Sequence, residues 1–242
     1  MEEPEKVINI SGYQFTTIYN IYSVREWLKP LCLALKLRGT ITLSFEGINI
    51  GIAGTRTSIS QFVKALHTDA RFAAMVFKES ESEVLPFRRI TLKCKNRIVP
   101  AAVPVDPKVA DAYRVSPKQL KAWLDQGEEV VLMDTRNDYE VDYGTFDHAL
   151  DYRLETFHEI YETLKAHQSE LENKKIVMFC TGGIRCEKAL PLAKKAGLNE
   201  VYHLDGGILK YFEECGGAHY HGGCYVFDQR VALGPDLKPI TA

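Results

Sequence analysis

The sequence is short of several things, and each shortage closes off a class of protein. Charge of one sign is missing: thirty basic against thirty-two acidic residues leave a formal net charge of −2. A whole-molecule field that gathers polyanions is therefore excluded, and any nucleic-acid partner must be met by a local patch. No apolar run approaches the roughly 18 residues that a bilayer span needs. The most apolar stretch, Leu31–Leu37, is short and holds Lys36. The start, M-E-E-P-E-K, is acidic and has no apolar core, so no secretory signal is expected. Cysteine is sparse, at positions 32, 94, 180, 186, 215 and 224, without the dense spacing of a disulfide framework. No internal repeat, low-complexity tract, flavin or nicotinamide fingerprint or iron facial triad is evident. The expectation is a cytoplasmic protein with reduced thiols, no membrane segment and no cofactor recognisable from its sequence. Its 242 residues, 45% hydrophobic and 26% charged, suffice for one large or two ordinary domains.

What is present centres on Val177–Leu190, V-M-F-C-T-G-G-I-R-C-E-K-A-L. The apolar run Ile176–Phe179 has the length and composition of a strand, and it stops at Cys180. Thr181, Gly182, Gly183, Ile184 and Arg185 follow as a loop, from which a helical pattern opens. A strand that delivers a cysteine to a helix N-terminus surrounds sulfur with inward-pointing N–H groups and partial positive charge. Both favour the thiolate over the thiol. The glycines let the backbone curl close to the sulfur, where a Cβ is expected to crowd it, and Arg185 places a fixed charge at the rim. A buried structural cysteine is the plainer alternative. The two glycines and the arginine in register favour a reactive thiolate.

Around this loop the pattern alternates strand and helix. Ser116-Pro117 reads as an N-cap with proline at the first helical position. Val130–Met133 is a continuous apolar run suited to a strand buried on both faces. Phe157–His167 and Ile184–Lys195 read as helices, the latter with Gly197 just past its end. Val201–Leu204 is a further strand closed by Asp205-Gly206-Gly207. Such alternation implies a parallel α/β sheet with its site at the strand C-terminal ends. Asp134 and Arg136, at a neighbouring strand end, are candidates to line the mouth, although a structural salt bridge or cap explains Asp134 as well. Cys186 either resolves an oxidised Cys180 or packs beside it as support.

The N-terminal part reads differently. Tyr13–Tyr22, Thr40–Phe45, Ile48–Ala53 and Met75–Lys78 are strand-like, and helices are expected after an N-cap at Ser23 and from Thr57 or Ser58. The order βαββαβ suggests a ferredoxin-like (acylphosphatase-like) sandwich. Next comes Phe87–Pro100, with Arg88, Arg89, Lys93, Lys95 and Arg97 and no acidic residue. It suits an edge strand protected by charge and equally a strip that contacts RNA phosphates. Pro100, Pro104 and Pro107 then mark a boundary. The expected organisation is a domain over 1–100, a linker over 101–114, an α/β domain over 115–218 and an extension over 219–242. Cys215, His219, His221 and Cys224 lie close together across the start of the extension, but their spacing is not a usual zinc pattern and no metal site is expected.

These residues carry a resemblance. Leu132-Met133-Asp134-Thr135-Arg136, then Glu140, Gly144 and His148-Ala149, then the Cys180 loop and Val201–Ile208 together resemble a rhodanese domain over about 115–215. In that family the loop cysteine carries sulfane sulfur as a persulfide. The six residues from Cys180 to Arg185 match the loop length that cradles sulfur, one shorter than in related phosphatases. With S-F-E-G-I-N-I-G-I-A-G (Ser44–Gly54) upstream and C-Y-V-F-D-Q-R-V-A (Cys224–Ala232) downstream, nearly the whole chain is similar to bacterial rhodanese-domain tRNA uridine hydroxylases. That resemblance implies oxygen-dependent 5-hydroxylation of the wobble uridine, with tRNA bound through its anticodon loop and O2 as co-substrate. It also implies Cys180 as the catalytic residue, supported by Arg185 and the loop amides. A persulfide sulfurtransferase is the alternative. Some members carry a cysteine-rich C-terminal tail that this sequence does not include.

Overall fold

The computed structural model describes residues 6–240. The acidic start and the last two residues, and the readings made on them, lie outside that range. The chain divides into two compact units: residues 6–98 with Phe227–Arg230, and Val99–Val226 with the remaining C-terminal residues. The C-terminal stretch therefore does not form an extension of its own.

The first unit runs β1 (Val7–Phe15), α1 (Ile21–Ala34), β2 (Arg38–Ser44), β3 (Gly47–Gly54), α2 (Arg56–Leu66), β4 (Lys78–Ser82) and β5 (Ile90–Cys94). Its sheet has the order β4-β1-β3-β2-β5. The first four strands pair antiparallel, which is the ferredoxin-like arrangement, and β5 adds a parallel edge beside β2. Ile8, Ile10, Ile41, Leu43, Ile48, Ile50 and Ile52 alternate along their strands and share one face. There they pack on Val24 and Leu28 of α1 and Ile59 and Phe62 of α2. Four boundaries differ from the sequence reading. The strand expected over Tyr13–Tyr22 is instead Val7–Phe15, whose register with β3 and β4 sets its length, and Ile21 and Tyr22 already belong to α1. α1 is capped by Asn20, whose side chain accepts from Ser23 N, so Ser23 already lies inside the helix. α2 begins one or two residues earlier than expected, at Arg56, capped by Thr55, which accepts from Ser58 N. Met75 is buried but sits in irregular backbone beside the exposed Val76, and the polar Lys78–Ser82 forms the strand instead. Pairing with β1 decides that segment, over its poor strand composition.

The second unit begins with a 3₁₀ turn at Pro107–Tyr113, then β6 (Arg114–Val115), α3 (Pro117–Asp125), β7 (Val130–Asp134), α4 (Asp138–Val141) and β8 (Gly144–Phe146). A second 3₁₀ turn at Phe157–Glu159 leads into α5 (Ile160–Ala166), followed by α6 (Gln168–Leu171), β9 (Lys175–Phe179), α7 (Cys186–Lys195), β10 (Val201–Leu204) and α8 (Gly207–Cys215). β11 (Tyr220–Gly222), β12 (Cys224–Tyr225) and β13 (Ala232–Leu233) complete it. The central sheet, order β6-β10-β9-β7, is entirely parallel. Ile176 and Met178 of β9 point to the core formed with α5 and α7, while Val177 and Phe179 point to the core formed with α3 and α8. Both faces are covered, which explains why β9 reads as an unbroken apolar run. Each such side chain stabilises the fold by about 1.5–3 kcal/mol through burial.

The stretch read as a linker, residues 101–114, is packed onto this unit. Ala101 and Ala110 are buried, and the Ala110 carbonyl lies 3.2 Å from His203 Nε2. Lys194 stands 3.8 Å over the Tyr113 ring, and Arg114 pairs with Glu187 and Asp205. Proline density marked the irregular backbone here, but these partners, 73 to 93 residues away for the polar bonds, hold it in place.

Candidate active site

Cys180 follows the last residue of β9 at the C-terminal end of the parallel sheet. It is almost fully buried. Gly183 N donates to its Sγ at 3.1 Å, and the amide of Arg185 donates as well. Beyond that point α7 begins, so its N-terminal dipole also faces the sulfur. Burial opposes ionisation of Cys180. A hydrogen bond from Cys186, the Arg185 charge and the two amides outweigh it, and the thiol is held well below its ordinary value. Cys186 moves the opposite way: burial and the neighbouring Cys180 hold it protonated as the donor. Cys224, equally buried without such a cradle, is pushed up to about 12 by burial. Depth alone does not make a reactive thiolate; aimed donors do.

Arg185 does not float at the rim. It forms a bidentate pair with Glu140, Nη2 to Oε1 at 2.8 Å and Nη1 to Oε2. Glu140 is fully buried and also accepts from Asn137 N at 3.0 Å, so one carboxylate closes the first turn of α4 and fixes the guanidinium. Thr181 Oγ1 contacts the same carboxylate at 3.4 Å. Glu140 is the residue that motif reading passed over as a site member. Its signal was an Asn-x-x-Glu capping pattern, which points to a helix start and says nothing of an arginine 45 residues away.

The glycines divide their roles unexpectedly. Gly183 has φ of +96°, which favours glycine, but a Cβ on Gly182 would meet nothing within 4 Å. Crowding at the sulfur is therefore not the reason for Gly182. The close approach is made by Gly207, where a Cβ would lie 2.3 Å from the Cys180 carbonyl and 2.7 Å from Gly183 N. The turn before α8 thus supports the loop from beneath, and Ile208 N and Leu209 N donate to the carbonyls of Cys180 and Thr181.

Asp134 and Arg136 do not line the mouth. Their side chains are completely buried and paired, with Arg136 Nη2 2.6 Å from Asp134 Oδ2. Arg136 also donates to the carbonyls of Glu140 and Gly144, and Thr145 Oγ1 donates to Asp134. This pair ties β7 to α4 and β8 and has no exposed atom to offer a substrate. Thr135 between them reaches the site indirectly: its Oγ1 donates to the Phe179 carbonyl at 2.9 Å and lies 3.5 Å from Cys186 Sγ.

The basic residues lie on and around β5, the edge strand. Ile90, Leu92 and Cys94 face the core, whereas Lys93, Lys95, Arg88 and Arg89 are exposed and Arg97 is half-buried. His219 and His221 pair with Asp125 at 2.7 Å and Asp147 at 3.1 Å. Among the described residues no cluster of three or more His, Cys, Asp or Glu groups has the arrangement of a metal site, and no helix is long and apolar enough to cross a membrane.

Comparison with known proteins bears on this geometry. A UPF0176 acylphosphatase-like domain matches residues 7–98, and a rhodanese-like domain matches residues 116–214. A protein of Cupriavidus necator named tRNA uridine(34) hydroxylase is 48% identical over 240 residues, covering 97% of this chain and 85% of its own. The chain belongs to the tRNA uridine(34) hydroxylase family. A second member, from Paraburkholderia xenovorans, is also 48% identical, over 96% of this chain and 85% of its own. Among solved structures, the rhodanese-like domain of an Anabaena sp. protein is 20% identical, covers 57% of this chain and 88% of its own, and has a TM-score of 0.40. The family assignment joins the two units into one enzyme, with the ferredoxin-like unit belonging to it as fully as the rhodanese-like unit.

Proposed function

We propose that this chain hydroxylates C5 of uridine 34 in tRNA, with Cys180 as the reacting group. One observation carries the reading. A chain 48% identical almost end to end with tRNA uridine(34) hydroxylases keeps a cysteine whose thiolate is held by aimed donors. The tRNA is engaged through its anticodon loop, in the cytoplasm, and dioxygen is the co-substrate. Addition of the Cys180 thiolate, or of a persulfide on it, to C6 of the uracil ring makes C5 electron-rich. C5 takes one oxygen atom of dioxygen while the other leaves as water with two electrons from an external reductant. Loss of the C5 proton with departure of sulfur from C6 restores the ring. Arg185 and the loop amides hold the sulfur anionic until it adds. The exposed Arg88, Arg89, Lys93 and Lys95, with Arg97, supply phosphate contacts that position the RNA without reading its bases.

The test is nucleoside mass spectrometry of tRNA from cells lacking this gene and complemented with variants. Wild type restores 5-hydroxyuridine and the nucleosides built on it, and Cys180→Ala restores none. Reversal of Arg88, Arg89 and Lys93 to glutamate lowers the yield and weakens tRNA binding in proportion to salt. If Cys180→Ser still forms 5-hydroxyuridine, the thiolate role is wrong. If nothing changes in the deletion strain while purified protein moves thiosulfate sulfur in a Cys180-dependent way, the chain is a sulfurtransferase.

A further inference from the structure

Beside the Cys180 loop lies a cluster of aromatic side chains that neither the loop nor the core accounts for. Tyr139 of α4, Tyr143 just beyond it and Tyr225 of β12 gather at one place on the second unit. The Tyr225 ring lies 5.4 Å from the Tyr139 ring, nearly perpendicular at 85°, and 5.4 Å from the Tyr143 ring at 49°. Tyr139 and Tyr143 remain 43% and 45% exposed, although aromatic rings of this size usually bury their faces. The cluster is built rather than incidental. Gly223 N donates to the Tyr143 carbonyl at 2.7 Å, which fixes β12 against the end of α4. The same two segments hold the active loop: Thr181 Oγ1 lies 3.5 Å from the Tyr225 carbonyl and 3.4 Å from Glu140, the residue after Tyr139. The rings are therefore carried by the two segments that contact Thr181, the residue after Cys180.

We propose that Tyr139, Tyr143 and Tyr225 form a stacking platform for the unpaired bases next to the target uridine. The occupant follows from the chemistry of the target. A uridine presented to Cys180 must be turned out of its stack, and the bases flanking it lose stacking partners in the process. Exposed aromatic faces replace that stacking without regard to base identity, which is how single-stranded nucleic acid is held where sequence is not read. Of the acids on and beside α4, Asp142 is paired with Arg153 at 2.7 Å and Asp138 accepts from Tyr139 N. Their charge is thereby partly met beside an RNA backbone. The tyrosines are positioning residues. They hold the substrate while the sulfur reacts, and this role rests on the functional reading above.

An anticodon stem-loop RNA carrying 2-aminopurine at position 35 tests the platform independently of turnover. With wild type, stacking quenches the probe's fluorescence on binding. The Tyr139→Phe/Tyr143→Phe pair keeps the rings and keeps the quenching. The Tyr139→Leu/Tyr143→Leu pair loses it, binds the RNA about tenfold more weakly and raises KM more than it lowers kcat. Iodoacetamide alkylation of Cys180 at the wild-type rate shows that the leucine pair is folded. Unchanged quenching in the leucine pair overturns the platform, as does a phenylalanine pair as weak as the leucine pair. Wild-type protein that quenches the probe yet forms no 5-hydroxyuridine overturns the functional reading and upholds the platform.

Discussion

Two neighbouring strand ends of the parallel sheet use nearly the same parts for opposite purposes. β9 ends in Cys180 and a loop whose N–H groups and guanidinium converge on one sulfur. β7 ends in Asp134-Thr135-Arg136, where a carboxylate and a guanidinium satisfy each other and nearby carbonyls. Both ends are buried, and each has an arginine clamped by a carboxylate, Glu140 for Arg185 and Asp134 for Arg136. At β7 the guanidinium spends its donors on protein acceptors, so the pair is a tie. At β9 the Arg185 charge still acts on the anion beside it, so the pair is a tool. Burial strengthens electrostatics in both places. What differs is whether N–H and S–H donors are aimed at a titratable group. The Arg136 charge also favours the Cys224 thiolate, but with no such donors burial wins and the thiol stays protonated.

The largest expected break in this comparison is Arg136→Met. It leaves Asp134 buried without its ion-pair partner and costs about 3–5 kcal/mol, read from urea unfolding. The pH profile of Cys180 alkylation in the folded fraction stays where it was, because Arg136 is not among the groups that lower the thiol. A profile displaced as far as the stability would erase the distinction between tie and tool.

The intermediate effect comes from Cys186→Ala, which removes the donor to Cys180. A hydrogen bond to a charged group is worth about 1.5–3 kcal/mol, so the apparent pKa of Cys180 rises by roughly one to two pH units. Alkylation rate against pH measures it. The sign of the linked stability follows. Cys180 has a folded pKa below that of the unfolded chain, so its thiolate contribution is fully present above the unfolded thiol value of about 8.5. It is lost as pH falls through the lowered folded value. The stability gap between wild type and Cys180→Ser therefore widens as pH rises across that window, and Cys186→Ala narrows the window from below.

The smallest effect belongs to Thr135→Val, at the join between the two ends. Its Oγ1 bond to the Phe179 carbonyl is worth about 1 kcal/mol. Denaturant unfolding shows that loss, with at most a slight displacement of the alkylation profile through Cys186. A displacement as large as that of Cys186→Ala would mean that Thr135, not the cysteine, sets the donor.

Local backbone signals in the chain carry part of the fold, although the caps of α1 and α2 fall at Asn20 and Thr55 rather than where the sequence pattern puts them. Ser116-Pro117 is the cap and first turn of α3, with Ser116 accepting from Gln119 N. Gly197 takes a left-handed φ of +94° just past α7. The strand at Ile176–Phe179, stopping before Cys180, and the βαββαβ order are of the same kind. Less legible were the segments whose state depends on distant partners. Lys78–Ser82 is a strand only because β1 is beside it, and residues 101–114 are ordered by α7 and β10.

The sequence by itself determined that a cysteine stands between a buried strand and a helix, with glycine and arginine within five residues. Strand length, turn chemistry and helix polarity are local properties of a chain, and those suffice to place a thiol among inward N–H groups. Only the tertiary structure decided what surrounds that thiol. It clamped Arg185 to Glu140, set Gly207 under the loop, sealed Asp134 and Arg136 away and brought three tyrosines together. Those contacts join residues up to some eighty-six positions apart. Coulomb and packing energies depend on distance in space, which no spacing along the chain encodes.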